Sequence, residues 1–348
     1  MTVLSTGSKV LDSLMDGGLR AKVISLLFGI PNLGKTWFCY QVACMCTRPE
    51  KVGGLEKKVL YLDTEGFFFD EDTIKRFAGY FKKRWPDCKP ENIEILQISD
   101  IFQLGEQFGI QFEILQEDKR VTVLAKFPTE RQKKLAEAKK AKAKTKDEKP
   151  KEGKKEKEPK EDADVESTKK DKDWLEKAPL WQKIKTGGYG LLVIDSVTIP
   201  IKSEIPTATQ NFPARTSLLQ TLLGACFPIA RRGDISILIT DHITRNPMSP
   251  TYKFGMGDPW GGSNVLYYVK HQFALYTGTQ ELAKKYGVVE SPRIRRVERY
   301  RFPGLDRMMV AVKLEKDKGY MDLPEISTTT AQPAQAEEEK EDAGTGDT

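Results

Sequence analysis

Residues 29–36 read Gly-Ile-Pro-Asn-Leu-Gly-Lys-Thr, a complete G-x-x-x-x-G-K-S/T phosphate-binding loop, set between an apolar run at 23–28 and a helix-forming run at 37–46. Such a loop folds back so that consecutive backbone N–H groups converge on phosphate oxygens, and a Cβ would collide at two points of that path. Gly29 and Gly34 occupy those points, and Ile30, Pro31, Asn32 and Leu33 complete the cradle. Lys35 opens the following helix, whose positive dipole end faces the same anion. Its ammonium can reach the β- and γ-phosphates, and the Thr36 hydroxyl is placed to bind Mg²⁺. The pattern predicts a nucleoside triphosphate site, with ATP and Mg²⁺ as its ligands.

A phosphate loop names a ligand class and no reaction, so the next step rests on carboxylates. The run at 190–196, Gly-Leu-Leu-Val-Ile-Asp-Ser, is a short apolar strand ending in Asp195. An aspartate so placed meets Mg²⁺ at the carboxyl edge of a parallel sheet. The run at 59–66, Val-Leu-Tyr-Leu-Asp-Thr-Glu-Gly, has the same form, and Glu65 is placed to polarise the water attacking the γ-phosphate, as general base. A strand-end acid can equally be a helix N-cap, and that reading stays open for both residues.

These groups meet only if their strands end on one edge. Strand-like runs at 23–28, 59–63, 93–98, 191–195, 235–240 and 273–276 alternate with helical patterns at 35–46, 71–85, 101–116 and 215–232. The alternation predicts an α/β fold with a mostly parallel central sheet, and runs at 295–301 and 308–316 read as antiparallel closing strands. A single ATPase domain over 1–125 and 178–323 fits 348 residues better than two equal domains. Its halves flank a Lys/Glu-rich insertion at 126–177, read as disordered or partly helical. Between Arg131 and Lys177 lie 18 basic and 13 acidic residues, so this stretch supplies +5 of the chain's +6. It reads either as a solvated tether or as an arm adding salt-sensitive phosphate contacts. Residues 324–348 read as a disordered acidic tail. Five cysteines without a Cys-x-x-Cys pair, beside two histidines, support neither a zinc site nor a disulfide scaffold, and point to a reduced, cytoplasmic setting. The apolar runs are strand-length, so neither a membrane span nor a signal peptide is expected.

Leu4-Ser5-Thr6-Gly7-Ser8-Lys9 with Leu11-Asp12, then Gly17-Gly18-Leu19 leading into the phosphate loop, resembles the RadA recombinases of the RecA superfamily. The likeness continues through Asp63-Thr64-Glu65-Gly66, Asp195-Ser196-Val197, Ile239-Thr240-Asp241-His242 and Gly261-Gly262, and covers 4–125 and 188–323. It implies a RecA-like P-loop NTPase core in which Glu65 is the catalytic glutamate. No helix-hairpin-helix pattern precedes the first motif, so the expectation is an archaeal RadA paralogue reduced to its ATPase core. The resemblance also implies single-stranded DNA and a RadA-type recombinase or other paralogues as partners in recombination and repair. It implies a homo-oligomer with nucleotide at the subunit interface, and a nucleoid-associated place in the cytoplasm.

The departures matter as well. His242 stands where the family carries a glutamine that senses the γ-phosphate; an imidazole makes a similar hydrogen bond, but its charge depends on pH. Tyr267 stands where the family has a histidine. The segment at 199–217, matching the first DNA loop, lacks the family's glycine-flanked arginine and carries Pro200, Pro206 and Pro213, which argues against strand exchange. The family's phenylalanine polymerisation motif has no counterpart, so a monomer, small ring or accessory subunit is expected. The second DNA loop, between His242 and Gly261, carries Arg245, Tyr252, Lys253, Phe254 and Trp260, mixing charge with aromatic faces that can stack on unpaired bases. The same aromatics can instead pack on their own domain. Phe67, Phe68 and Phe69 read as core or subunit-contact surface, and secondarily as a base-stacking platform. The alternative function class is a nucleotide-gated interaction protein resembling KaiC-like regulators, with little coupling to DNA.

Overall fold

The computed structural model describes residues 2–117, 120–126, 174–206, 209–244, 257–260, 265, 267–285 and 293–323. The first half of the chain runs β1 (Val3–Leu4), α1 (Lys9–Leu14), β2 (Leu19–Arg20), β3 (Ile24–Gly29), α2 (Lys35–Thr47), β4 (Lys58–Asp63), α3 (Glu71–Arg84), β5 (Ile93–Gln97), α4 (Ile101–Gln107), β6 (Gln111–Glu117) and β7 (Arg120–Lys126). The second runs α5 (Pro179–Gly187), β8 (Tyr189–Asp195), α6 (Ile199–Glu204), α7 (Phe212–Gly233), β9 (Ser236–Asp241), β10 (Ile243–Thr244), β11 (Asp258–Pro259), β12 (His271–Thr277), α8 (Gln280–Lys285), β13 (Ile294–Arg301), β14 (Met309–Glu315) and β15 (Gly319–Asp322).

Strands β3, β8 and β9 are buried at every residue, as strands covered on both faces must be. They lie inside a nine-stranded sheet of order β15-β14-β13-β12-β3-β9-β8-β4-β5, parallel from β12 to β5 and antiparallel from β12 to β15. One face buries Phe38, Val42, Phe77, Phe81 and Tyr320 around α2 and α3; the other buries Leu104, Trp181, Leu218 and Leu222 under α4, α5 and α7. The chain passes from β3 over two positions to β4 and later returns through β8 to β9, next to β3. That reversal opens a crevice beyond the carboxyl ends of β3, β9, β8 and β4, where open α/β sheets bind ligands.

The α/β class, the mostly parallel sheet and the antiparallel closing strands are as expected, and three local readings are corrected. The helix expected over 101–116 stops at Gln107: Gly109 takes φ +69°, and 111–117 becomes a strand paired with β7 in a hairpin. Phe112 and Ile114 alternate inward there, a period of two that overrides the helical reading. The loop expected at 199–217 holds α6 and the start of α7, with Pro200 and Pro213 in first turns, where a missing N–H is tolerated. The closing pair is a triple, because β15 adds a strand. Of the insertion expected at 126–177, Lys126 ends β7 and Leu175 is buried in a short 3₁₀ turn; residues 127–173, like the tail at 324–348, lie outside the described residues. All five cysteines are free and buried. Among the described residues no helix is long and apolar enough to cross a membrane.

Candidate functional site

Register brings the motifs together. Phe28 pairs with Asp241 and Asp63 with Asp195, so four adjacent strand ends carry the phosphate loop, Asp241-His242, Asp195 and Glu65 in that order. In the loop, Gly34 takes φ +103°, and a Cβ on it would lie 2.6 Å from Leu314 Cδ2. At Gly29 a Cβ would lie 2.6 Å from the Leu275 carbonyl oxygen. Only glycine fits either place, and the loop keeps its backbone open to a ligand that approaches closely. Lys35 is buried and its Nζ donates to the carbonyls of Gly29 and Ile30, 3.2 Å each, so the ammonium lies across the start of its own loop. Burial pulls its pKa down, against the charges of Glu65, Asp195 and Asp241.

Asp195 is buried at the end of β8. Tyr61 Oη donates to Oδ2 at 2.7 Å and Thr240 Oγ1 donates to Oδ1. Burial pushes its carboxyl up from the usual range; the hydroxyl of Thr240 opposes that, Glu65 adds to it, and the Tyr61 and Thr36 hydroxyls oppose it further. The Thr36 side chain, from a separate element, thus acts on Asp195, and the donor set, a hydroxyl with a carboxylate, suits a hard cation such as Mg²⁺.

Glu65 is tied to the same strand end. The Asp195 carbonyl accepts the N–H groups of Thr64 at 2.8 Å and Glu65 at 3.2 Å, while the Asp63 carboxylate accepts those of Phe67 at 3.2 Å and Phe68 at 2.7 Å. The turn carrying the glutamate is thus fixed from both sides. Neither acid is a helix cap: the N-cap of α3 is Asp70 and that of α6 is Thr198. Phe68 is fully buried in an aromatic cluster with Tyr40, Tyr61 and Phe77, whereas Phe69 is 72% exposed. The phenylalanine triplet therefore divides between core and surface.

His242 Nε2 lies 3.1 Å from Glu65 Oε1. This bond holds the Glu65 carboxyl below its ordinary range, against a burial effect that would raise it. On the other side, Asp241 accepts the His242 N–H at 2.6 Å and the Trp260 N–H at 2.9 Å. Burial drives the Asp241 pKa up to about 6. The Trp260 ring lies under Lys202 Nζ at 5.2 Å and near the Arg215 guanidinium at 5.9 Å, packed at the margin of the core. Of the two readings of the loop aromatics, packing on the domain describes Trp260. Arg245, Tyr252, Lys253 and Phe254 lie outside the described residues. Tyr267 is 74% exposed and packs edge-on against Tyr268.

Sequence reasoning missed Tyr61, Asp63 and Thr240, although the alternation within 59–63 and 235–240 marks which side chains share the Asp195 side of their strands. It also missed Lys202 and Arg215, which no local pattern pairs with Trp260.

Residues 1–96 match the family model described as Rad51. The chain is 48% identical over 65 residues to the DNA repair and recombination protein RadA of Aeropyrum pernix, covering 19% of this chain and 20% of that protein. It is 44% identical over 76 residues to the RadA protein of Metallosphaera sedula, covering 22% and 23%. To the DNA repair protein RAD51 of Saccharomyces cerevisiae it is 48% identical over 65 residues, covering 19% and 16%. The chain thus spans no more than about a quarter of the length of these curated relatives.

Proposed function

We propose that this chain, whose residues 1–96 match the Rad51 family model, is a member of the RecA/RadA recombinase superfamily and a Mg²⁺-dependent ATPase that binds single-stranded DNA and assists a RadA-type recombinase in homologous recombination and DNA repair. The observation that carries the reading is the convergence of the phosphate loop, His242, Asp195 and Glu65 on four adjacent strand ends.

The loop amides and Lys35 bind the triphosphate, Lys35 exchanging its two carbonyl partners for phosphate oxygens. Thr36 and Asp195 would hold Mg²⁺, which when bound neutralises charge on the β- and γ-phosphate oxygens. Both Asp195 oxygens already accept from Tyr61 and Thr240, which fixes the orientation of the carboxylate that would hold the metal. Glu65 orients the attacking water and takes its proton. His242 is the modified sensor, its ring bonded to the base while its backbone joins Asp241 and, through it, Trp260. The DNA repair and recombination proteins that the chain resembles support a DNA partner; a recombinase-type partner, a homo-oligomer with nucleotide at the subunit interface and a nucleoid-associated, cytoplasmic place belong to the same proposal.

The engagement of Trp260 within its own domain favours a second reading, a nucleotide-gated interaction protein with little DNA coupling. Coupling between two sites is reciprocal. Titration of a labelled single-stranded oligonucleotide into Glu65→Gln protein, with and without ATP, therefore decides between them. A shift in DNA affinity on adding ATP supports the recombination role, and identical isotherms support the second reading.

A further inference from the structure

Two carbonyls of the phosphate loop are gripped by residues from the far end of the chain. Arg295 Nε on β13 donates to the Leu33 carbonyl at 2.7 Å, and Tyr320 Oη on β15 lies 3.3 Å from the Leu33 oxygen and 3.2 Å from the Gly34 oxygen, sharing its proton between them. A trans peptide sets each C=O opposite to the N–H that follows it. Fixing the Leu33 and Gly34 carbonyls on the side of the closing strands therefore fixes the Gly34 and Lys35 N–H groups on the other side.

The grip is braced. The Tyr320 ring packs edge-on against Phe38 with centroids 5.8 Å apart, and its N–H donates to Gln41 Oε1 at 2.7 Å. Gln41 Nε2 in turn donates to the Thr6 carbonyl at 2.8 Å. Arg295 and Tyr320 are 9% and 1% exposed. A guanidinium is expensive to desolvate, and an apolar side chain would hold β13 against the loop at less cost. What arginine adds is a directed, charge-assisted bond to one chosen carbonyl.

We propose that Arg295 and Tyr320 are positioning residues of the nucleotide site, aiming the Gly34 and Lys35 amides at the phosphates before nucleotide arrives. The inference rests on the reading of residues 29–36 as an ATP site. The closing strands then do more than cap the sheet: they preorganise the phosphate cradle, for ADP as well as ATP.

The test is equilibrium titration of fluorescent ATP and ADP into wild type, Lys35→Ala, Tyr320→Phe and Arg295→Lys, with ATPase kinetics in parallel. Tyr320→Phe keeps the ring on Phe38 and removes only the hydroxyl; Arg295→Lys keeps the charge and removes the planar fork. Each is expected to weaken both nucleotides by about 3–10-fold, with KM rising more than kcat falls, a split that general loosening of the fold would not produce. Far-UV circular dichroism at the assay temperature checks folding, and if Tyr320→Phe is not folded, Arg295→Lys decides. Wild type that binds through Lys35 while both folded variants bind like it overturns the positioning role alone. Wild type that binds neither nucleotide overturns the ATP-site reading beneath it.

Discussion

The Nε2 atom of His242 stands 3.1 Å from Oε1 of Glu65, so the side chain at the sensor position touches the proposed catalytic base directly. That contact holds the Glu65 carboxyl below its ordinary range. His242→Ala removes it and is expected to lower ATP hydrolysis by about 10-fold while nucleotide binding is kept. Initial rates of phosphate release test this, and an unchanged rate would remove His242 from control of Glu65.

Glu65→Gln keeps the side chain's size and its place in the turn held by Asp63 and Asp195, and removes only the base. Hydrolysis should fall by about 10²–10⁴-fold with nucleotide binding retained. A turnover near the wild-type value would move the base elsewhere.

Lys35→Ala deletes the ammonium that lies across the loop. ATP affinity is expected to drop at least about 100-fold, read by the same fluorescence titration, while circular dichroism stays unchanged.

Much of this site was legible because its residues are contiguous in sequence. The phosphate loop declares its own geometry, and Glu65 and Asp195 each end an apolar run whose burial in a parallel sheet the pattern predicts. What was not legible depends on register and on distant pairing. The break of the helical pattern at Gly109 turned on a positive φ that opened a hairpin. The grip of Arg295 and Tyr320 on the loop joins residues more than 260 positions apart. Of the two readings open for Trp260, neither could be weighed from the sequence, because Lys202 and Arg215, which lie beside its ring, come from other elements.

That packing makes a stability prediction. Trp260→Ala removes a partly buried ring and two cation–π partners, and should destabilise the fold by about 1–3 kcal/mol in urea unfolding, with Trp260→Phe costing less. A ring standing free of its domain as a stacking platform would give a change within about 0.5 kcal/mol.

His271 is buried flat against Phe302, centroids 3.9 Å apart, and burial together with the Arg20 charge lowers its pKa from 6.5 to about 4. A depressed folded pKa gives stability that is present above the unfolded value and lost as pH falls through the folded one. Between pH 6.5 and 4 the wild type should lose on the order of 2 kcal/mol more than His271→Gln. The raised pKa of Asp241 acts in the opposite sense, its contribution being full below the unfolded value and lost as pH rises through about 6. It is common to both proteins and cancels in the difference. Unfolding curves for the two proteins at several pH values check the sign, and equal slopes would contradict it.

The central claim, an ATPase coupled to single-stranded DNA, is tested most directly by steady-state ATP hydrolysis with and without single-stranded DNA at two salt concentrations, with Glu65→Gln as the control. The expected result is hydrolysis that depends on Glu65 and is stimulated by DNA, the stimulation fading as salt rises. Hydrolysis indifferent to DNA, or none in the wild type, would contradict it.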